Sequence, residues 1–97
     1  METSIPEQYS EKNLEVLEDT VTRYHYILDI VAKKDEKGDT EYTHERINDV
    51  EKYLHKAKYG QTEKQRVKGY GSARSTLLEG IAALINILHS EEKDASI

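Results

Sequence analysis

Leu14, Leu17, Val21, Tyr24, Leu28 and Val31 recur at alternating spacings of three and four residues. That rhythm places all six on one stripe of an α-helix and is the seam of coiled-coil-like packing. It recurs twice more. Ile47, Val50, Leu54 and Ala57 repeat it, with Thr43 one step earlier and Tyr53 at the flank. Val67, Tyr70, Arg74, Leu77, Ile81, Leu84 and Leu88 carry it through the last third of the chain. No segment shows the strict alternation of a half-buried strand. The fold class that follows is all-α, a small antiparallel three-helix bundle in up-down-up order.

Local signals set the boundaries at about 5–34, 40–59 and 62–90, with a frayed tail over 91–97. Ser4-Ile5-Pro6-Glu7 has the form of a capping box with proline in the first turn, and Ser10 is a second candidate start. Lys33 and Lys34 suit a helix C-terminus, and Gly38 suits the stop after it. Asp39 or Thr40 opens the second helix and Gly60 closes it. Thr62-Glu63-Lys64-Gln65 is another capping box. Gly69 and Gly71 leave open whether the third helix breaks, since each costs about 1 kcal/mol relative to alanine inside a helix.

A chain of 97 residues is expected to form one domain, and so small a core gains from self-association. A stripe of small residues on the third helix, Gly69, Ala73, Thr76, Gly80 and Ala83, allows another helix backbone to come close. Two readings follow: a central third helix packed on both sides, or a seam between two copies. The second is preferred, and makes Gly69, Ala73, Gly80 and Ala83 self-association residues of a homodimer.

Composition excludes several chemistries. There is no cysteine, hence no disulfide, thiol nucleophile or thiolate metal site. The aromatic residues are seven tyrosines, with no Phe or Trp. Met1 to Pro6 lacks a basic region followed by an apolar stretch, so no secretory signal is expected. The apolar run Leu77–Leu88 is too short to span a bilayer. A cytoplasmic protein without membrane association is the resulting expectation.

Charge is unevenly distributed. The chain carries −5 overall, yet residues 56–74 hold six basic residues against one acid, Glu63. One basic segment in an acidic protein is where an anion would settle. Arg66, Lys68, Tyr70, Ser72 and Arg74 are the candidate ligands of a phosphorylated or nucleotide-like anion. Glycines ahead of a helix start, with basic neighbours, would expose N–H groups to phosphate. The segment is not a GxxxxGK[ST] loop, and no strand precedes it. The net negative charge argues against a dedicated nucleic-acid binder.

Other constellations are weaker. His25, His44, His55 and His89 form no HxxxH pair; Glu51 and His55 stand four apart, but two ligands do not make a metal site. Tyr24-His25-Tyr26 places His25 and Tyr26 away from the core stripe. Glu79 is the acid within the apolar stretch, yet no nucleophile or triad accompanies it. No enzyme, cofactor or metal is expected.

Two short resemblances bear on function. Gln65-Arg66-Val67-Lys68-Gly69, entering a helix, resembles the phosphoacceptor helix of histidine phosphotransfer domains, which are also small helical bundles. The motif there is His-x-x-Lys-Gly, and Gln65 stands at the histidine, so phosphotransfer is not carried over. Ala73 to Ile81 looks like the last helix of small phage proteins that sequester cyclic-nucleotide signals; the overlap is nine residues. Neither assigns a family. The sequence points first to a non-enzymatic helical module, a small regulator or inhibitor that binds a partner protein, and second to a binder or sequesterer of an anionic small molecule.

Overall fold

The computed structural model describes residues 5–34 and 40–95, with side chains as far as His89. Three helices and no strand make up the described residues: α1 (Glu11–Ala32), α2 (Glu41–Tyr59) and α3 (Glu63–Ala95). At 1.5 Å per residue, α3 is about 50 Å long, and it sets the 53 Å long axis of a molecule 24 and 16 Å across.

The first helix starts later than the early capping box suggests. Ser10 is the N-cap, its hydroxyl accepting from the Asn13 N–H at 3.0 Å. Residues 5–9 are not helical. Ile5 is buried in the core instead, and the carbonyls of Ile5 and Pro6 accept hydrogen bonds from α3. Ser4, Gly38 and Asp39 lie outside the described residues. Thr40 is the N-cap position of α2.

Gly60 ends α2, its N–H bonding the Lys56 carbonyl at 2.9 Å, but its backbone is not left-handed. Glycine is required for space, since a Cβ there would sit 2.7 Å from the Lys56 oxygen. The capping box at the start of α3 forms: the Gln65 N–H donates to Thr62 Oγ1 at 3.1 Å. Gln65 Oε1 accepts in return from the N–H of Gln61 at 2.9 Å. The helix then runs unbroken through Gly69 and Gly71, and on to Ala95.

The heptad stripes become the core. Leu14, Leu17, Val21, Leu28 and Val31 of α1 are buried, as are Thr43, Ile47, Val50 and Ala57 of α2. On α3, Tyr70, Leu77, Ile81 and Leu84 are buried, while the stripe's ends are not: Val67 is 45% exposed and Leu88 39%. The buried side chains form a larger cluster around Leu17, Val50, Tyr70 and Leu77 and a smaller one of Leu28, Val31, Ile47 and Leu84. Tyr24 packs against both.

The small stripe of α3 meets α2 of the same chain. A Cβ on Gly69 would lie 2.8 Å from the Ala57 nitrogen and 3.0 Å from the Tyr53 oxygen. A Cβ on Gly80 would lie 3.4 Å from Ile47 and 3.5 Å from Arg46. Numbers rise along α3 as they fall along α2. Ala73 is fully buried and Ala83 half-buried. Gly69 and Gly80 thus face α2 of the same chain, as in the reading of a third helix packed within its own bundle. Their close approach is made within the chain, because α2 needs the space that the missing Cβ atoms leave.

Candidate functional site

The basic segment wraps the junction of α2 and α3, and Lys58, Arg66 and Arg74, half of its cations, already have partners. Lys58 Nζ donates to Glu18 Oε2 of α1 at 3.1 Å. That hydrogen bond, then the carboxylate's charge, holds the Lys58 pKa above its ordinary value. Arg66 Nη1 donates to the Gly60 carbonyl at 2.8 Å.

Tyr70 and Arg74 hold the N-terminal strap. The Tyr70 hydroxyl donates to the Pro6 carbonyl at 2.5 Å, and Arg74 Nε donates to the Ile5 carbonyl at 3.0 Å. Tyr9 meets Tyr70 edge to face, with ring centroids 5.9 Å apart. Removal from water raises the Tyr70 pKa, and the Arg74 charge opposes this. Arg74 Nη2 also comes within 4.0 Å of the carboxylate of Glu7, which is largely exposed.

The five predicted anion ligands are thus not brought together. Arg66, Tyr70 and Arg74 follow one another by a turn, and each serves a main-chain carbonyl of its own chain. Lys68 and Ser72 lie on another line of the helix, Lys68 exposed and Ser72 half-buried. The glycine-rich N–H cradle also does not form. Residues 68–72 are interior to α3, where N–H groups bond to carbonyls one turn back.

What is free lies at the surface. Lys56, Lys64 and Lys68 are exposed and make no ion pair among the described residues. The exposed Tyr59 ring stands between His55, at 4.8 Å ring to ring, and Lys58 Nζ, at 5.9 Å. Glu79 is exposed rather than enclosed by its apolar neighbours. Glu51, considered with His55 as a metal pair, instead takes His25 Nε2 at 2.7 Å across α1 and α2. Groups of three or more metal-type ligands are absent among the described residues. No helix there is long and apolar enough to cross a membrane.

Sequence reasoning missed the strap, the two cross-helix pairs and two buried polar atoms. Thr43 Oγ1 and Arg46 Nε are shielded from water without a hydrogen-bond partner. The isolated Ile5 beside Pro6 was the available signal for the strap. The pairs have none, since they depend on register between helices. Comparison with protein-family models, curated proteins and solved structures finds no match to this chain.

Proposed function

We propose that this chain is a non-enzymatic helical interaction module, a small cytoplasmic regulator or inhibitor that acts by binding a partner protein. In this reading its helices form an antiparallel up-down-up bundle, a rigid body that presents fixed faces. The supporting observation is the state of the surface acids. Glu41 and Glu45 on α2 are exposed and unpaired within the described residues, with Tyr42 exposed between them. Acidic groups around an exposed aromatic suit a basic protein partner. The test is quantitative capture of partners from the source cells with the chain and with Glu41→Lys/Glu45→Lys. Loss of a reproducible partner is expected. If every partner were retained, this face would not be the contact.

A second reading is supported by the free lysines. Lys56, Lys64 and Lys68 offer charge, and the exposed Tyr59 a ring face, to a phosphorylated or nucleotide-like anion. Such a ligand raises the melting temperature with occupancy. Pyrophosphate and a nucleotide, each compared with sodium chloride at equal ionic strength, test this. Stabilisation that disappears in Lys64→Glu/Lys68→Glu is expected. Equal shifts from all three solutes would leave only screening.

A further inference from the structure

The outer face of α1 carries a second heptad stripe, opposite the one that builds the core. Lys12, Val16, Asp19, Arg23, Tyr26, Ile30 and Lys33 follow one another at alternating spacings of four and three, and all are exposed. Three of them are large apolar residues in water: Val16 at 36%, Tyr26 at 69% and Ile30 at 43% exposure. Asp19 and Arg23 form no ion pair among the described residues. The spacing is that of any helix face; the signal is that Val16, Tyr26 and Ile30 fall on one such face. Apolar residues aligned in this way suit a face that meets another helix.

The stripe is also complementary to itself when reversed. Asp19 and Arg23 lie equally far on either side of position 21. So do Val16 and Tyr26, and so do Lys12 and Ile30. Two copies of α1 laid antiparallel about that point set Arg23 against Asp19 of the other copy, twice. They set Tyr26 against Val16, twice, and Ile30 against the aliphatic stem of Lys12, twice. A two-fold interface demands this property, because each residue must suit its mirror position.

The centre of the stripe is prepared for drying. Thr20 and Thr22 flank it, and their hydroxyls already bond back to the carbonyls of Val16 at 2.8 Å and Glu18 at 3.1 Å. Covering them strands no donor. The helix dipole explains acids in the first turn of a helix and bases in its last. It does not explain Asp19 and Arg23 in the middle, nor three apolar residues in register with them. Two kinds of contact oppose the pairing: Glu15 comes near Asp29 of the other copy at the rim, and Lys33 follows Ile30 next to Lys12 of the other copy at each end, where water and salt screen the repulsion.

We infer that the chain forms a homodimer through the outer face of α1, two antiparallel helices crossing near position 21, with reciprocal Arg23–Asp19 pairs. This does not depend on the functional reading above. Sedimentation equilibrium on the full chain tests it. The expected species is twice the 11.2 kDa subunit. Arg23→Asp sets like charges together at two places and should weaken the dimer at least about tenfold. Asp19→Arg should do the same. The double variant Arg23→Asp/Asp19→Arg restores opposite charges and should recover the dimer. Circular dichroism should be unchanged throughout, because both positions are exposed. A monomer at all concentrations, a dimer indifferent to Arg23→Asp, or a double variant no tighter than the singles would each overturn the inference.

Discussion

Thr43 shows how a residue can follow the pattern and still be chemically out of place. It stands on the core stripe of α2 and is fully buried, yet its hydroxyl has no hydrogen-bond partner. Valine has nearly the same shape and no polar atom. Thr43→Val should stabilise the chain by about 1–2 kcal/mol, because an unsatisfied buried hydroxyl loses its water without replacement. Urea unfolding would read this as a higher midpoint at unchanged slope. Tyr70 is the converse case, a core tyrosine whose hydroxyl is satisfied by Pro6. Its pKa is raised above the ordinary value of 10.0, so the folded state holds the proton more tightly than the unfolded chain. The resulting stability is complete below that ordinary value and is lost as pH rises through the folded pKa. Tyr70→Phe should cost about 1 kcal/mol near neutral pH by removing the hydrogen bond. It should also flatten the loss of stability at high pH. Equal alkaline unfolding curves for the two proteins would show that Tyr70 does not titrate in this way.

At the scale of the element, Gly69 and Gly71 of α3 look alike in sequence and differ in space. Gly69 faces the backbone of α2, with Ala57 N and Tyr53 O where a Cβ would go. Gly71 faces solvent, and nothing lies within 4 Å of the same position. Gly69→Ala should therefore separate the helices and destabilise by about 1–3 kcal/mol. Gly71→Ala should stabilise by about 1 kcal/mol, the ordinary preference of a helix for alanine. In a domain of this size each kcal/mol moves the melting temperature by roughly 4–8 °C, so the two should separate in a single thermal scan. Heptad spacing made the three helices legible because it records which side chains leave water. The Thr62 cap was legible because it is local. The destination of the small stripe was not, because close approach looks the same whether the second helix belongs to the same chain or another. The partners of Tyr70 and Arg74 were not legible for a related reason. Tyr70 and Arg74 were recognisable as donors, but the carbonyls of Ile5 and Pro6 that fill them lie more than sixty residues away in the chain.

Across the whole molecule the helices are not joined equally. α2 and α3 touch backbone to backbone at Gly69. α1 is held by its apolar stripe, by the surface pairs Lys58–Glu18 and His25–Glu51, and through the strap beneath Tyr70 and Arg74. Exposed ion pairs add little, about 0–1 kcal/mol. A chain built this way should open in parts, α1 first. Native-state hydrogen exchange should show α1 amides exchanging through an opening that leaves α2 and α3 protected. If α1 is also the contact between two copies, its opening requires the copies to part, and mass action then links the two events. Protection of α1 should rise with protein concentration, while that of α2 and α3 rises less. Added salt should lower α1 protection by screening Arg23 and Asp19. Arg23→Asp should bring α1 to its monomer value at every concentration, and Arg23→Asp/Asp19→Arg should return the dependence. Protection of α1 equal to that of α3 would mean that the three helices unfold as one unit. Protection of α1 lower than that of α3 but independent of concentration would leave α1 as the loosest helix of a single chain, with no second copy behind it.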